Sequence, residues 1–236
     1  MKGWMRDLTW MVLFNLLDLL LAPLRIGRNL SGRRGVWPPR RILAIHTEGI
    51  GNLVMATPLL AALRRQWPQA EIVLGIQPQP GKAKLLAHTD LVNETVLFPS
   101  DDALTTTRDR AFMNGLAARK FDLAMLCFPF NRRWKLAFVR MLGRLRCEGA
   151  ALRFGASDFR NWSRWVRYHR PVPHCRHEVE INLALAEALG IDPPDDPRAV
   201  VGVSDGDRSK ATGFLQETDL AAARPLIGVH PGSLGG

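Results

Sequence analysis

From Arg41 onward, short apolar runs alternate with stretches whose apolar residues return every three or four positions. "RILAIH" (41–46) predicts a strand. Across 52–66, Leu53, Ala56, Leu60 and Leu63 keep helical spacing, which predicts an amphipathic helix. "EIVLGIQ" (71–77), "ETVLFP" (94–99) and "FDLAMLCF" (121–128) predict strands; the last is almost continuously apolar, as a strand buried on both faces should be. Helices are expected at "KAKLLAH" (82–88), at 107–119 and at "RRWKLAFVRMLG" (132–143), the last basic and amphipathic. "HEVEINLALAEALG" (177–190) predicts a helix closed by Gly190 in a left-handed cap. After the turn-rich "IDPPDDP" (191–197), "RAVVGV" (198–203) predicts a strand and "DRSKATGFLQ" (207–216) a helix. Strands and helices in this alternation imply an α/β, Rossmann-like fold, a parallel sheet covered on both faces.

Two segments stand outside that rhythm. "RPLIGVHPGSLGG" (224–236) begins a new strand and a Gly-Ser loop, which ordinarily feeds a helix N-terminus. The expected organisation is therefore a surface helix and basic linker over 1–40, a Rossmann-like domain over 41–223, and the first strand and loop of a second domain over 224–236. At the other end, "LTWMVLFNLLDLLLAPL" (8–24) is the most apolar stretch. Asn15 and Asp18 interrupt it, and with Ala22 and Arg25 they form one narrow polar stripe on a helix. Lys2, Arg6, Arg25, Arg28, Arg33 and Arg34 flank it. The expected element is an interfacial helix, apolar side in the lipid and arginines on anionic headgroups. A spanning signal anchor and a helix packed on the protein's own body are the alternatives. No small-x-small site follows, which argues against a cleaved signal peptide.

Charge sharpens this picture. The chain of 236 residues carries a formal net charge of +10. Residues 1–41 hold eight Lys/Arg against two Asp, and residues 131–176 hold twelve against two acids, so the remainder is mildly acidic. Two basic segments on an acidic body point to two electrostatic jobs, not to a nucleic-acid coat. Three widely spaced cysteines, Cys127, Cys147 and Cys175, fit a reducing compartment. "HCRH" (174–177) lacks a distant partner pair for a metal site. Trp162 and Trp165 among Arg160, Arg164 and Arg167 read as a packed surface loop, with no nucleic-acid module in view.

The chemistry centres on "HTEGIGNLVMATPLL" (46–60). In an open parallel sheet, ligands bind outside the carboxyl ends of the strands, where this turn lies. Gly49 and Gly51 allow close backbone approach, and the helix N-terminus below favours an anion. The dinucleotide pattern G-x-G-x-x-G fails at Val54, and the second strand ends in Gln77 where a ribose-binding acid would stand. No G-K-[ST] follows, so the turn is not a P-loop. Pro58, inside the helix, is expected to kink it near its start.

"RILAIHTEGIGNLVMATPLLAALRRQWPQAEIVLGI" resembles the opening of the heptosyltransferase family, glycosyltransferase family 9, which has a strand, a G-D turn and a helix with T-P-L. "PLIGVHPGSLGG" resembles that family's second signature, an H-P-G-S loop, and "HEVEINLALAEALGI" its R-N-L-A-L-type helix. The resemblance covers about residues 40–236. It implies a GT-B architecture, with the acceptor on the N-terminal domain and a nucleotide-sugar, usually ADP-heptose, on the C-terminal one. The sugar would pass with inversion to the lipopolysaccharide inner core, and no metal or other cofactor would be needed. His230, Gly232 and Ser233 match the nucleotide-sugar loop, with Ser233 meeting phosphate. Gly49, Gly51, Arg132, Arg133 and Lys135 would face the anionic glycolipid acceptor, the basic residues meeting its phosphates and carboxylates. The enzyme would sit on the cytoplasmic side of the inner membrane. In the family the turn's Asp is the expected general base; here Asn52 stands in its place, and an amide can only orient the acceptor hydroxyl. Glu48, the nearest carboxylate in the turn, is the expected substitute as base. Glu178 and His46 are lesser candidates. A non-catalytic glycolipid-binding protein is the competing function.

Overall fold

The computed structural model describes residues 37–99, 107–130, 132–153, 166–171 and 177–229. Contacts divide the chain into two compact units, Met1–Val201 and Gly202–Gly236. The first unit is built on a six-stranded sheet, β1 (Arg41–His46), β2 (Glu71–Ile76), β3 (Glu94–Leu97), β4 (Leu123–Leu126), β5 (Glu148–Arg153) and β6 (Tyr168–Pro171). Every ladder is parallel, and the spatial order is β3-β2-β1-β4-β5-β6. This is the doubly wound pattern, in which the strand order reverses between β1 and β4.

Period-two alternation in the strands feeds two separate cores. Ile42, Ala44, Ile72, Leu74 and Met125 point to one face, where α1 (Ile50–Gln66) and α4 (Glu178–Ala188) pack through Leu53, Leu60, Leu63 and Leu185. Leu43, Ile45, Val73, Ala124 and Leu126 point to the other. There α2 (Thr107–Ala118) and α3 (Arg132–Leu145) supply Met113, Leu116, Trp134, Phe138 and Leu142. Each large aliphatic side chain sunk in these layers contributes about 1.5–3 kcal/mol relative to exposure.

Pro58 lies in the interior of α1 and withholds the donor that would bond the Val54 carbonyl. The neighbouring side chain makes good the loss: Thr57 Oγ1 donates to that carbonyl at 2.7 Å. The same hydroxyl accepts from the Val200 N–H at 2.8 Å, tying the segment after α4 to the middle of α1. The Thr-Pro pair is thus a structural joint.

Several elements depart from the sequence-based expectation. Residues 82–88 form no α-helix; one 3₁₀ turn, Lys82–Lys84, runs into further turns whose hydrogen bonds each span three residues. Leu86 and Leu91 are both buried, and this tighter winding carries the chain between them. Residues 198–203 form no strand, because the Val200 N–H is taken by Thr57 and not by a ladder. The described part of the last expected strand, 225–229, joins no sheet either. Conversely β5 and β6 were not foreseen from the pattern. β5 is glycine- and alanine-rich, and β6 is a basic edge strand ending at Pro171, where the missing N–H costs nothing. The Gly190 expectation holds: its φ is +76°, just beyond the end of α4.

The second unit contains α5 (Asp205–Glu217), capped by Ser204, whose Oγ accepts from the Asp207 N–H at 3.0 Å. Phe214, Leu226, Ile227 and Val229 are exposed in it. Among the described residues, no helix is long and apolar enough to cross a membrane. The segment 8–24 lies outside them.

Candidate functional site

The β1–α1 turn emerges at the carboxyl edge of the sheet, beside the point where the strand order reverses. Gly49 caps α1 in an extended conformation with no side-chain cap, and the first turn holds no acid. The leading N–H groups of the helix are therefore uncapped and face the edge with the positive end of the dipole. A side chain at Gly51 would meet nothing within 4 Å, so its surroundings are open to an approaching ligand.

Below the turn sits a buried polar layer. Lys82, only 1% exposed, turns its ammonium onto the Glu48 carbonyl. His46 is fully buried, and neither ring nitrogen has a hydrogen bond of ordinary geometry among the described residues; the Thr47 hydroxyl is in the same position. Burial, and then the charge of Lys82, hold the His46 pKa down to about 3, so its ring is neutral at physiological pH. Gln77, with its amide oxygen turned to Trp134 Nε1 at 3.1 Å, gives its NH₂ to the Thr47 carbonyl. The residue at the end of β2 is thus a brace between the turn and α3. This brace is a role the sequence does not announce.

From the other side, α4 presents its N-terminus. His177 caps it, its Nδ1 accepting from the Val179 N–H at 3.3 Å, and Glu178 and Glu180 occupy the first turn. Asn182, fully buried, grips the loop after β4: its Oδ1 accepts from the Phe128 N–H, and its Nδ2 donates to the Phe128 carbonyl, each at 3.0 Å. The same amide donates to the Glu178 carbonyl at 3.1 Å. Helix α4 and the β4 loop are therefore locked together, with Glu178 held beside the turn. Asn52 Nδ2 donates to Glu178 Oε2 at 2.8 Å, closing a bond between the first turns of α1 and α4.

The structure thus gathers Glu48, Gly49, Gly51 and Asn52 at one edge and adds Glu178. Glu48 is partly exposed, and its carboxylate makes no hydrogen bond or ion pair with a described residue. Lys135 is buried, with Nζ 5.8 Å from the centre of the Phe130 ring. Arg132 and Arg133 open α3, and their side chains lie outside the description. His230, Gly232 and Ser233 also lie outside the described residues. Among the described residues, no group of three or more His, Cys, Asp or Glu is placed to hold a metal.

No protein-family model and no curated sequence matches the chain. Solved structures do. A glycosyltransferase family 9 protein from Veillonella parvula superposes at a TM-score of 0.57 with 15% identity, over 78% of this chain and 50% of that one. The ADP-heptose lipopolysaccharide heptosyltransferase II of E. coli superposes at 0.54 with 19% identity, over 78% of this chain and 52% of that one. The chain spans about half the length of these proteins. Across that span it has the fold of the glycosyltransferase family 9 structures, an α/β Rossmann-like domain of GT-B type.

Proposed function

We propose that the protein is an inverting glycosyltransferase of heptosyltransferase type, and that the β1–α1 turn is its acceptor face. The carrying observation is the open, uncapped turn at the strand-order reversal with a carboxylate bound into it. Ligands of doubly wound sheets lie at that reversal. Glu48, Gly49, Gly51 and Asn52 would meet the acceptor sugar. Arg132 and Arg133 would meet its anionic groups, and Lys135 would support α3 from within. The donor is a nucleotide-sugar, with an ADP-heptose as the leading choice, held through His230, Gly232 and Ser233. The acceptor is the lipopolysaccharide inner core, an anionic glycolipid, reached from the cytoplasmic face of the membrane by an enzyme resting on segment 8–24.

Asn52 also favours a second reading, a glycolipid-binding protein without turnover, since an amide takes no proton. Both readings are tested by incubating the full-length protein with ADP-, UDP- and GDP-sugars and an inner-core glycolipid. Nucleoside diphosphate release that requires the glycolipid supports the transferase. Glycolipid binding without release supports the second reading.

A further inference from the structure

We infer that Glu178, not a residue of the β1–α1 turn, is the general base that takes the acceptor proton, and that Asn52 is its positioning partner. The inference rests on the transferase reading above and assigns a role within that site.

Glu178 and Asn52 stand 126 residues apart in sequence, yet their side chains meet at 2.8 Å. Two helix N-termini converge there, so the carboxylate lies where both dipoles attract negative charge. Only one of its oxygens is engaged by Asn52; the other makes no hydrogen bond with a described residue. Its helix is held by Asn182, which bonds the Glu178 carbonyl and both polar backbone groups of Phe128. A base must be fixed within hydrogen-bond reach of the proton it removes. Glu178 has that fixation through backbone and side chain. Glu48 is fixed only through its own carbonyl, by Lys82.

The amide at position 52 follows from the same geometry. An aspartate there would set two carboxylates against each other and raise the pKa of one. With Asn52, the N–H donor bonds one Glu178 oxygen and fixes the carboxylate's orientation. In the transfer step the acceptor hydroxyl gives its proton to the free Glu178 oxygen as its own oxygen bonds to the anomeric carbon of the nucleotide-sugar. The bond from that carbon to the diphosphate oxygen breaks, and the nucleoside diphosphate leaves with the electron pair.

The experiment measures transfer from a nucleotide-sugar to an inner-core glycolipid by full-length wild type and by Glu178→Gln, Glu48→Gln, Asn52→Asp and the double variant Asn52→Asp/Glu178→Gln. Removing a general base costs roughly 10²–10⁴-fold. Glu178→Gln should lose about that much in kcat while acceptor binding, measured by calorimetry, persists; Glu48→Gln, on the acceptor-binding face, should raise KM and keep most of its kcat. Asn52→Asp alone should move the acid limb of the pH–rate profile to higher pH, and the double variant should return the limb and recover much of the rate. A merely structural tie between the helices would change stability and leave the profile in place. Wild-type transfer with undiminished turnover in Glu178→Gln overturns the inference alone. A kcat loss in Glu48→Gln instead of Glu178→Gln does the same. No transfer by the wild type overturns the transferase reading and the inference together. Gln at 178 can still accept the Asn52 bond, and the double variant checks the result should that single variant fold poorly.

Discussion

Asn52 Nδ2 donates to Glu178 Oε2 across 2.8 Å, and the bond joins the first turn of α1 to the first turn of α4. The contact has a consequence for stability apart from any chemistry. Asn52→Asp replaces an attractive contact by two carboxylates. One of them then has a raised pKa in the folded state, so the folded protein binds more protons than the unfolded chain. The variant should therefore match the wild type near pH 4 and fall behind as pH rises, by about 1–2 kcal/mol at pH 8. Urea unfolding of both proteins across that range checks it. A difference that is flat with pH would show that the two side chains do not face each other.

The Thr57–Pro58 joint predicts an asymmetry between two small substitutions. Thr57→Val keeps the shape but strands the Val54 carbonyl and the Val200 N–H. It should cost about 2 kcal/mol or more, whereas Thr57→Ser should cost less than about 1 kcal/mol. Chemical denaturation of the two variants gives the comparison. Equal losses would mean that the methyl group and not the hydroxyl holds the joint.

His46 predicts a pH dependence of known sign. In the folded protein its pKa is held down to about 3, while in the unfolded chain it is near 6.5. Between these values the unfolded state binds the extra proton, so stability rises with pH through that window and the contribution is complete above it. Replacing His46 by Leu should flatten the dependence between about pH 6 and 4 by up to roughly 1.4 kcal/mol per pH unit. Thermal unfolding at several pH values measures the slope. An unchanged slope would place the ring in contact with water.

Much of this architecture is legible in the residues, and the exceptions have physical causes. β1 carries five consecutive buried residues after Arg41, and its bounds match the apolar run. Helix α4 is marked by its own apolar residues and by Gly190. β5 was not legible because its glycine and alanines carry no strand preference; its place is set by pairing with β4. Lys82, expected to open a short helix, is buried because its ammonium has a backbone carbonyl to bond beneath the turn. The glycine turn could be read from local spacing, and Asn52 stood out because the family that the turn resembles has an Asp in its place. Its tie to Glu178 could not be read, because only the fold brings those positions together. Gln77 was noticed as the acid that is missing; its actual job as a brace between Thr47 and Trp134 needed the three-dimensional neighbours.

The N-terminal segment gives a prediction that does not depend on the catalytic site. Residues 8–24 read as an interfacial helix flanked by basic residues. Deleting residues 1–24 should abolish co-sedimentation with vesicles containing anionic lipid, and raised salt should weaken binding of the intact protein. Undiminished sedimentation of the shortened protein would move the membrane contact elsewhere.

The central claim is that the β1–α1 turn serves sugar transfer. It is tested most directly by following a nucleotide-sugar and an inner-core glycolipid with the full-length protein by proton NMR. The account predicts a new glycosidic linkage, formed only when both substrates are present, with the anomeric configuration opposite to that of the donor. No new linkage with ADP-, UDP- or GDP-sugars, or a linkage that retains the donor's configuration, would contradict it.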